Sequence, residues 1–212
     1  MASIQPHCVF FALLATLATS TVAAKSEHFA IDPVHTRIVF KVDHLGYSKS
    51  IGTFSGANGT LDFDRDDWHS AKVSVAILLD KLDMGDPVWK DKVLSTSLLG
   101  VKQQPVARFV STSVEPGTGD RALIHGTLSL HGHDSPVTLD AHLNALKRDS
   151  LTFKRTIGFS ATTTLSRKAL QVDGYPDAIG DAVDVQIEVE AEVAKNQAPE
   201  ATTAPPANGG NR

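Results

Sequence analysis

The chain of 212 residues has one cysteine, Cys8, so no internal disulfide can form and stability has to come from burial. Long apolar runs are missing as well. The greasiest segment, Val9 to Thr19, falls short of the roughly 20 residues a spanning helix needs. Aromatic residues are scarce, with 9 Phe, 2 Trp and 2 Tyr, so a dry interior must be built mostly from Val, Ala, Leu, Ile and Thr. Such an interior either leaves room for a guest or packs as an ordinary core. Net charge is −4, and positive charge is confined to dispersed pairs: Lys147 with Arg148, Lys154 with Arg155, Arg167 with Lys168. That excludes a nucleic-acid footprint and leaves only a weak case for transient contact with anionic membrane headgroups. There is no Gly-x-Ser-x-Gly elbow, phosphate loop or dinucleotide fingerprint, and Ser160 and Ser166 have no evident base partner. No catalytic residue is assigned, and the expectation is a protein that is not an enzyme.

What the chain has is alternation. In Ala182 to Val193, residues Val183, Val185, Ile187, Val189, Ala191 and Val193 fall on one side of an extended chain, and Asp184, Gln186, Glu188, Glu190 and Glu192 on the other. The same beat predicts strands over 29–31, 37–44, 51–63, 71–79, 106–114, 122–130, 137–146 and 151–165, with turn chemistry at Asn58 and Gly59, Pro116 and Gly117, Gly132, and Asp173 and Gly174. Asp86 and Pro87 open a short helix over 87–96, on which Trp89 and Val93 stand one turn apart and can close one end. Long one-sided strands with short connections predict an all-β fold, an extended antiparallel barrel with one short helix.

The ends differ from the middle. Val9 to Thr19 followed by Val22, Ala23 and Ala24 reads as a secretory signal cut after Ala24, with an uncleaved anchor as the alternative. The expected location is periplasmic or secreted. From residue 195 onward the composition is that of a disordered tail, which leaves 25–194 as one domain.

Parity assigns an inward face to Ile38, Phe40 and Val42; to Val73, Val75 and Ile77; to Leu139 and Leu143; to Ile157 and Phe159; and to Val185, Ile187 and Val189. His44 shares the parity of Val42. It either meets a polar head at the barrel mouth or is satisfied by a local backbone carbonyl. His35, after Asp32 and Pro33, reads as a turn residue. His131 and His133 make an H-x-H pair with His125 nearby, but Gly132 favours a turn and no third ligand has compelling spacing, so no metal site is assigned. Asp62, Asp64, Asp66 and Asp67 lack the glycine and terminal Glu of a calcium loop.

The string IDPVHTRIVFKVDHLG over 31–46 resembles the opening motif of the YceI-like family of secreted bacterial proteins. The likeness continues through Gly52-Thr53-Phe54-Ser55-Gly56, Gly59 to Asp64, Gly126 to Gly132 with Pro136 to Leu139, Gly158-Phe159 and Leu165-Ser166-Arg167. It lapses between Asp91 and Phe109, where Ser97-Leu98-Leu99-Gly100 and Gln104-Pro105 stand in place of an aromatic block and a Tyr-Pro. Leu98, Leu99 and Phe109 join the candidate lining. The resemblance implies a lipocalin-like barrel that takes up a polyisoprenoid chain, such as a polyprenyl quinone or polyprenyl lipid, with no cofactor required and with homodimers as an expectation. Two other readings are a histidine-metal or quinone-linked redox protein and a scaffold whose core is filled.

Overall fold

The computed structural model describes residues 26–194; the expected leader with Cys8, the expected cleavage after Ala24 and the expected tail lie outside the described residues. The strands are β1 (Glu27–Ile31), β2 (Arg37–His44), β3 (Ser48–Ser55), β4 (Asn58–Phe63), β5 (Lys72–Leu78), β6 (Leu82–Asp83), β7 (Val106–Pro116), β8 (Arg121–Leu130), β9 (His133–Arg148), β10 (Arg155–Ser166) and β11 (Ile179–Val193). A helix, α1 (Pro87–Leu94), lies between β6 and β7. Every pairing is antiparallel, and the order β1-β4-β5-β7-β8-β9-β10-β11 returns to β1 through Phe29↔Val193 and Ile31↔Ala191. β2 continues β1 along β11, β3 continues β4 along β2, and β6 pairs with β3. The result is an eight-walled barrel in which two walls are broken strands. Closure removes the sheet edges that alternating strands would otherwise expose.

The breaks keep the lumen dry. Between Ile31↔Ala191 and Ile38↔Ile187 the β1–β2 wall advances seven residues while β11 advances four. An odd excess swaps faces, so Ile31 and Ile38 both point inward although their numbers differ in parity. The excursion over 32–36 is held by Asp32, whose carboxylate accepts from the Val34 amide at 2.7 Å and from His35 Nδ1 at 2.7 Å. His35 thus has the turn role its position suggests. Hydrogen bonding to Asp32 is the main reason its imidazole titrates above its ordinary value. Thr36, buried inside the excursion, exchanges hydrogen bonds with the backbone of Glu190.

Several strand boundaries depart from the alternation, and β11 begins at Ile179 instead of Ala182. The segment 51–63 is two strands, because Gly56 takes φ +71° and Ala57 turns into the core between them. Leu151 to Lys154 is a turn and not the start of β10. The Asp149 carboxylate accepts from the amides of Leu151 and Thr152, Phe153 takes φ +57°, and both Leu151 and Phe153 are exposed. β9 is longer at both ends than 137–146, and β6 carries too few residues to show a period. The helix stops at Leu94 instead of 96; at its start the Asp86 side chain accepts from the Trp89 amide at 2.9 Å, as an N-cap does.

Two glycines allow close packing inside the wall. Phe109 lies across Gly126, where a Cβ would fall 2.4 Å from the ring, and Phe40 covers Gly52 in the same manner at 2.3 Å. Each ring therefore lies flat along the wall and leaves the axis of the barrel clear.

Candidate functional site

The inward side chains enclose a cavity of about 500 Å³, a size typical of ligand pockets. Along β11 its lining runs from Ile179 to Val189. At about 3.3 Å per residue and a strand tilt near 40°, that is roughly 25 Å along the barrel axis. Room exists because the wall is thin over three neighbouring strands. Ala122, Ala141 and Ala161 are direct cross-strand partners on β8, β9 and β10, and all three face the lumen. The opposite wall carries larger residues, Val75, Ile77, Phe40 and Phe54, the last two with ring centroids 5.7 Å apart.

Of the residues assigned by parity or resemblance, Ile38, Phe40, Val42, His44, Val73, Val75, Ile77, Leu98, Leu99, Phe109, Leu139, Phe159, Val185, Ile187 and Val189 border this cavity. Leu143 and Ile157 do not. They point inward but lie in the plug at the closed end, packed with Phe29 and Ala191. A bulge explains part of this: Gly158 pairs with Ala145 and Phe159 with Leu143, so β9 gains a residue where the barrel narrows.

The open end is formed by the β2–β3 turn, α1 and the β10–β11 loop. Exposed Asp43, Trp89, Lys92 and Tyr175 belong to the lining there, together with His44, Ser50 and Met84. His44 packs on Trp89 at 5.5 Å between ring centroids, and the Lys92 ammonium lies 4.5 Å above the Tyr175 ring. Tyr175 Oη accepts from Ser97 Oγ at 3.4 Å, and contacts with Lys92 and Ser97 hold the phenol below its ordinary range. Trp89 is 45% exposed, so it frames the mouth without sealing it.

Tyr175 and Arg167 are loop-borne and Lys92 stands on α1, so all three escape the period-two argument. Arg167 is 8% exposed, and burial pulls its guanidinium below the ordinary value. Its Nε donates to the Gly180 carbonyl at 2.9 Å, and its terminal nitrogens donate to Val172, Gly174 and Ile179 at 2.8 to 3.2 Å. The fork is saturated by backbone carbonyls, and it ties the β10–β11 loop over the end of the barrel. The three histidines considered for metal do not converge. His125 is directed outward to Thr138 and Glu115, His131 sits in the β8–β9 turn against the Gln171 carbonyl, and its ring is 6.3 Å from that of His133. Among the described residues, no three His, Cys, Asp or Glu side chains are placed to hold a metal ion.

A closed eight-walled barrel with a long apolar lumen narrows the comparison, and a profile described as the YceI-like domain matches residues 29–191. The chain belongs to the YceI-like family. It is 36% identical over 180 residues to a UPF0312 protein of Pseudomonas putida, covering 84% of this chain and 92% of that one. It is 34% identical over 179 residues to Protein YceI of Salmonella arizonae, covering 84% and 93%. Among solved structures, Burkholderia cenocepacia BcnA shares the fold at a TM-score of 0.68 and 19% identity, covering 76% of this chain and 98% of that one. A polyisoprenoid binding domain from Saccharophagus degradans, implicated in plant cell wall breakdown, shares it at 0.59 and 13% identity, covering 80% and 100%.

For this YceI-like barrel the thin alanine wall makes a test of open space. In a filled core the isopropyl group that Ala→Leu adds to Cβ costs about 1–3 kcal/mol through overpacking. Ala141→Leu adds that bulk to the lumen, so the melting temperature should hold or rise in thermal unfolding followed by circular dichroism. A large drop would mean that no room is there.

Proposed function

We propose that this protein binds a long polyisoprenoid lipid, a polyprenyl quinone or polyprenyl lipid, along the barrel lumen, and that it does so outside the cytoplasm as a non-enzymatic carrier, store or sensor. The observation that carries the reading is the continuous apolar cavity, open at one end and framed there by polar groups. The polyisoprenoid-binding barrel of Saccharophagus degradans supports it through the shared fold. Burial supplies the affinity. A methylene is worth roughly 0.8 kcal/mol, so a five-carbon isoprene unit contributes roughly 3 to 4 kcal/mol gross. A few units offset an association cost of roughly 4 to 15 kcal/mol without any reactive group in the lumen. The head stays at the mouth beside His44, Lys92 and Tyr175, where donors remain within reach of water. A filled-core scaffold does not fit a cavity of about 500 Å³.

The mouth also fits contact with a bilayer, from which such a lipid has to be drawn. Around it stand Leu45, Tyr47, Val88, Trp89 and Tyr175, all exposed, with Tyr47 at 88%. Leu45 occupies the left-handed region at φ +57°, a place where glycine or asparagine is the usual choice, and so presents an aliphatic side chain to solvent. Aromatic and aliphatic groups in this setting suit the interfacial layer of a membrane.

Extraction of the mature protein, purified without detergent, followed by mass spectrometry should yield polyprenyl lipid. Ile187→Trp, which fills the middle of the lumen, should lower uptake of added polyprenyl quinone at least tenfold. Failure of the unaltered protein to yield or take up any such lipid would contradict the reading. In vesicle flotation, Tyr47→Ser with Val88→Ser should reduce the bound fraction while uptake from detergent solution persists; unchanged flotation would contradict membrane contact.

A further inference from the structure

The closed end of the lumen has a distinct construction. Phe63 of β4, Trp68 of the 3-10 turn Trp68–Ser70 after it, and Phe159 of β10 meet edge to face, with ring centroids 5.1 Å apart for Phe63 and Trp68, 5.7 Å for Phe63 and Phe159, and 6.4 Å for Trp68 and Phe159. All three border the cavity. Beyond them the interior is solid: Phe29, Ile157 and Ala191 are fully buried and contribute nothing to the cavity lining. The rings are braced from outside as well. Trp68 Nε1 donates to the Arg65 carbonyl at 3.0 Å, the Arg65 guanidinium lies 5.9 Å from the indole centroid, and that guanidinium meets Asp120 in the β7–β8 turn at 2.7 Å. A fixed aromatic group across a tube is a stop for anything that enters from the other end.

We propose that Phe63, Trp68 and Phe159 form a floor that sets the longest isoprenoid tail the barrel accommodates, so that this protein selects its lipid by chain length and not only by hydrophobicity. The inference rests on the isoprenoid-binding reading above. A tail shorter than the tube leaves apolar wall without contacts, and one longer than the tube leaves greasy units in water at the mouth, so occupancy peaks where tail and tube match. Trp68 lies outside the strands, and its truncation leaves the barrel's pairing in place. Opening the floor by a ring frees space for about one isoprene unit, because large-to-small changes leave most of the removed volume as cavity.

The test is competition among polyprenyl quinones of graded tail length for the unaltered protein and for Trp68→Ala, Phe159→Leu and Ala122→Leu, with bound homologues read by mass spectrometry. Circular dichroism confirms that each variant is folded. The unaltered protein should show an upper cutoff. Trp68→Ala and Phe159→Leu should move that cutoff to longer tails by about one isoprene unit, and Ala122→Leu, which adds bulk just above the floor, should move it to shorter ones. Should the unaltered protein bind none of the series, the isoprenoid reading itself fails. Should it bind them with a cutoff that every folded variant shares, or with no cutoff at all, the floor proposal is overturned while the isoprenoid reading stands.

Discussion

Everything in this molecule depends on closing the alternating strands into a tube whose inward side chains do not fill it. Closure follows from β1 pairing with β11, which leaves the inward face of every wall no option but a shared interior. The remaining question is volume, and it is decided by small residues placed side by side. Ala122, Ala141 and Ala161 occupy one cross-strand row, and Phe40 and Phe109 lie flat over Gly52 and Gly126. A protein interior normally reaches crystal-like density. Here Phe40 and Phe109 pack closely on the wall glycines while a cavity stays free, and its apolar lining is what a hydrocarbon guest would cover.

Polar groups are arranged so that this dry axis costs little. Thr36 and Arg167 are buried, yet their hydrogen bonds run to backbone carbonyls or amides of the wall and the covering loop. Among the described residues, no buried side-chain nitrogen or oxygen lacks a partner. Ion pairs such as Lys49 with Asp184 and Arg155 with Glu27 lie on the outside of the barrel, where they add solubility more than stability. Chemistry is therefore concentrated at the mouth, where His44, Lys92 and Tyr175 stand at the boundary between lumen and water. The lumen is apolar and the mouth polar, the division that the proposed tail and head of a lipid would require.

Much of this was legible in the alternation. β2 begins and ends where the pattern places it, and the inward parity of Val73, Val75, Ile77, Val185, Ile187 and Val189 matches the cavity wall. What escaped is what period two cannot encode. The excursion at 32–36 reverses parity between Ile31 and Ile38 by adding an odd number of residues, and nothing in the local pattern says which number. Leu143 and Ile157 carry inward parity but sit in the plug, since parity gives a direction and not a depth. Tyr175 and Arg167 reach the cavity from a loop through backbone contacts that have no period. The turn at 151–154 reads as strand because Leu151 and Phe153 are apolar, although the Asp149 side chain decides its shape.

The central claim, that the lumen is open space suited to a lipid tail, is tested most directly by a crystal structure of the protein isolated from cells without detergent. The account predicts elongated density running from the mouth beside His44 and Trp89 to the rings of Phe63, Trp68 and Phe159, bounded by the alanine row on one wall. An interior closed by inward collapse of Phe40, Phe54 and Ile187, with no density along the axis, would contradict it.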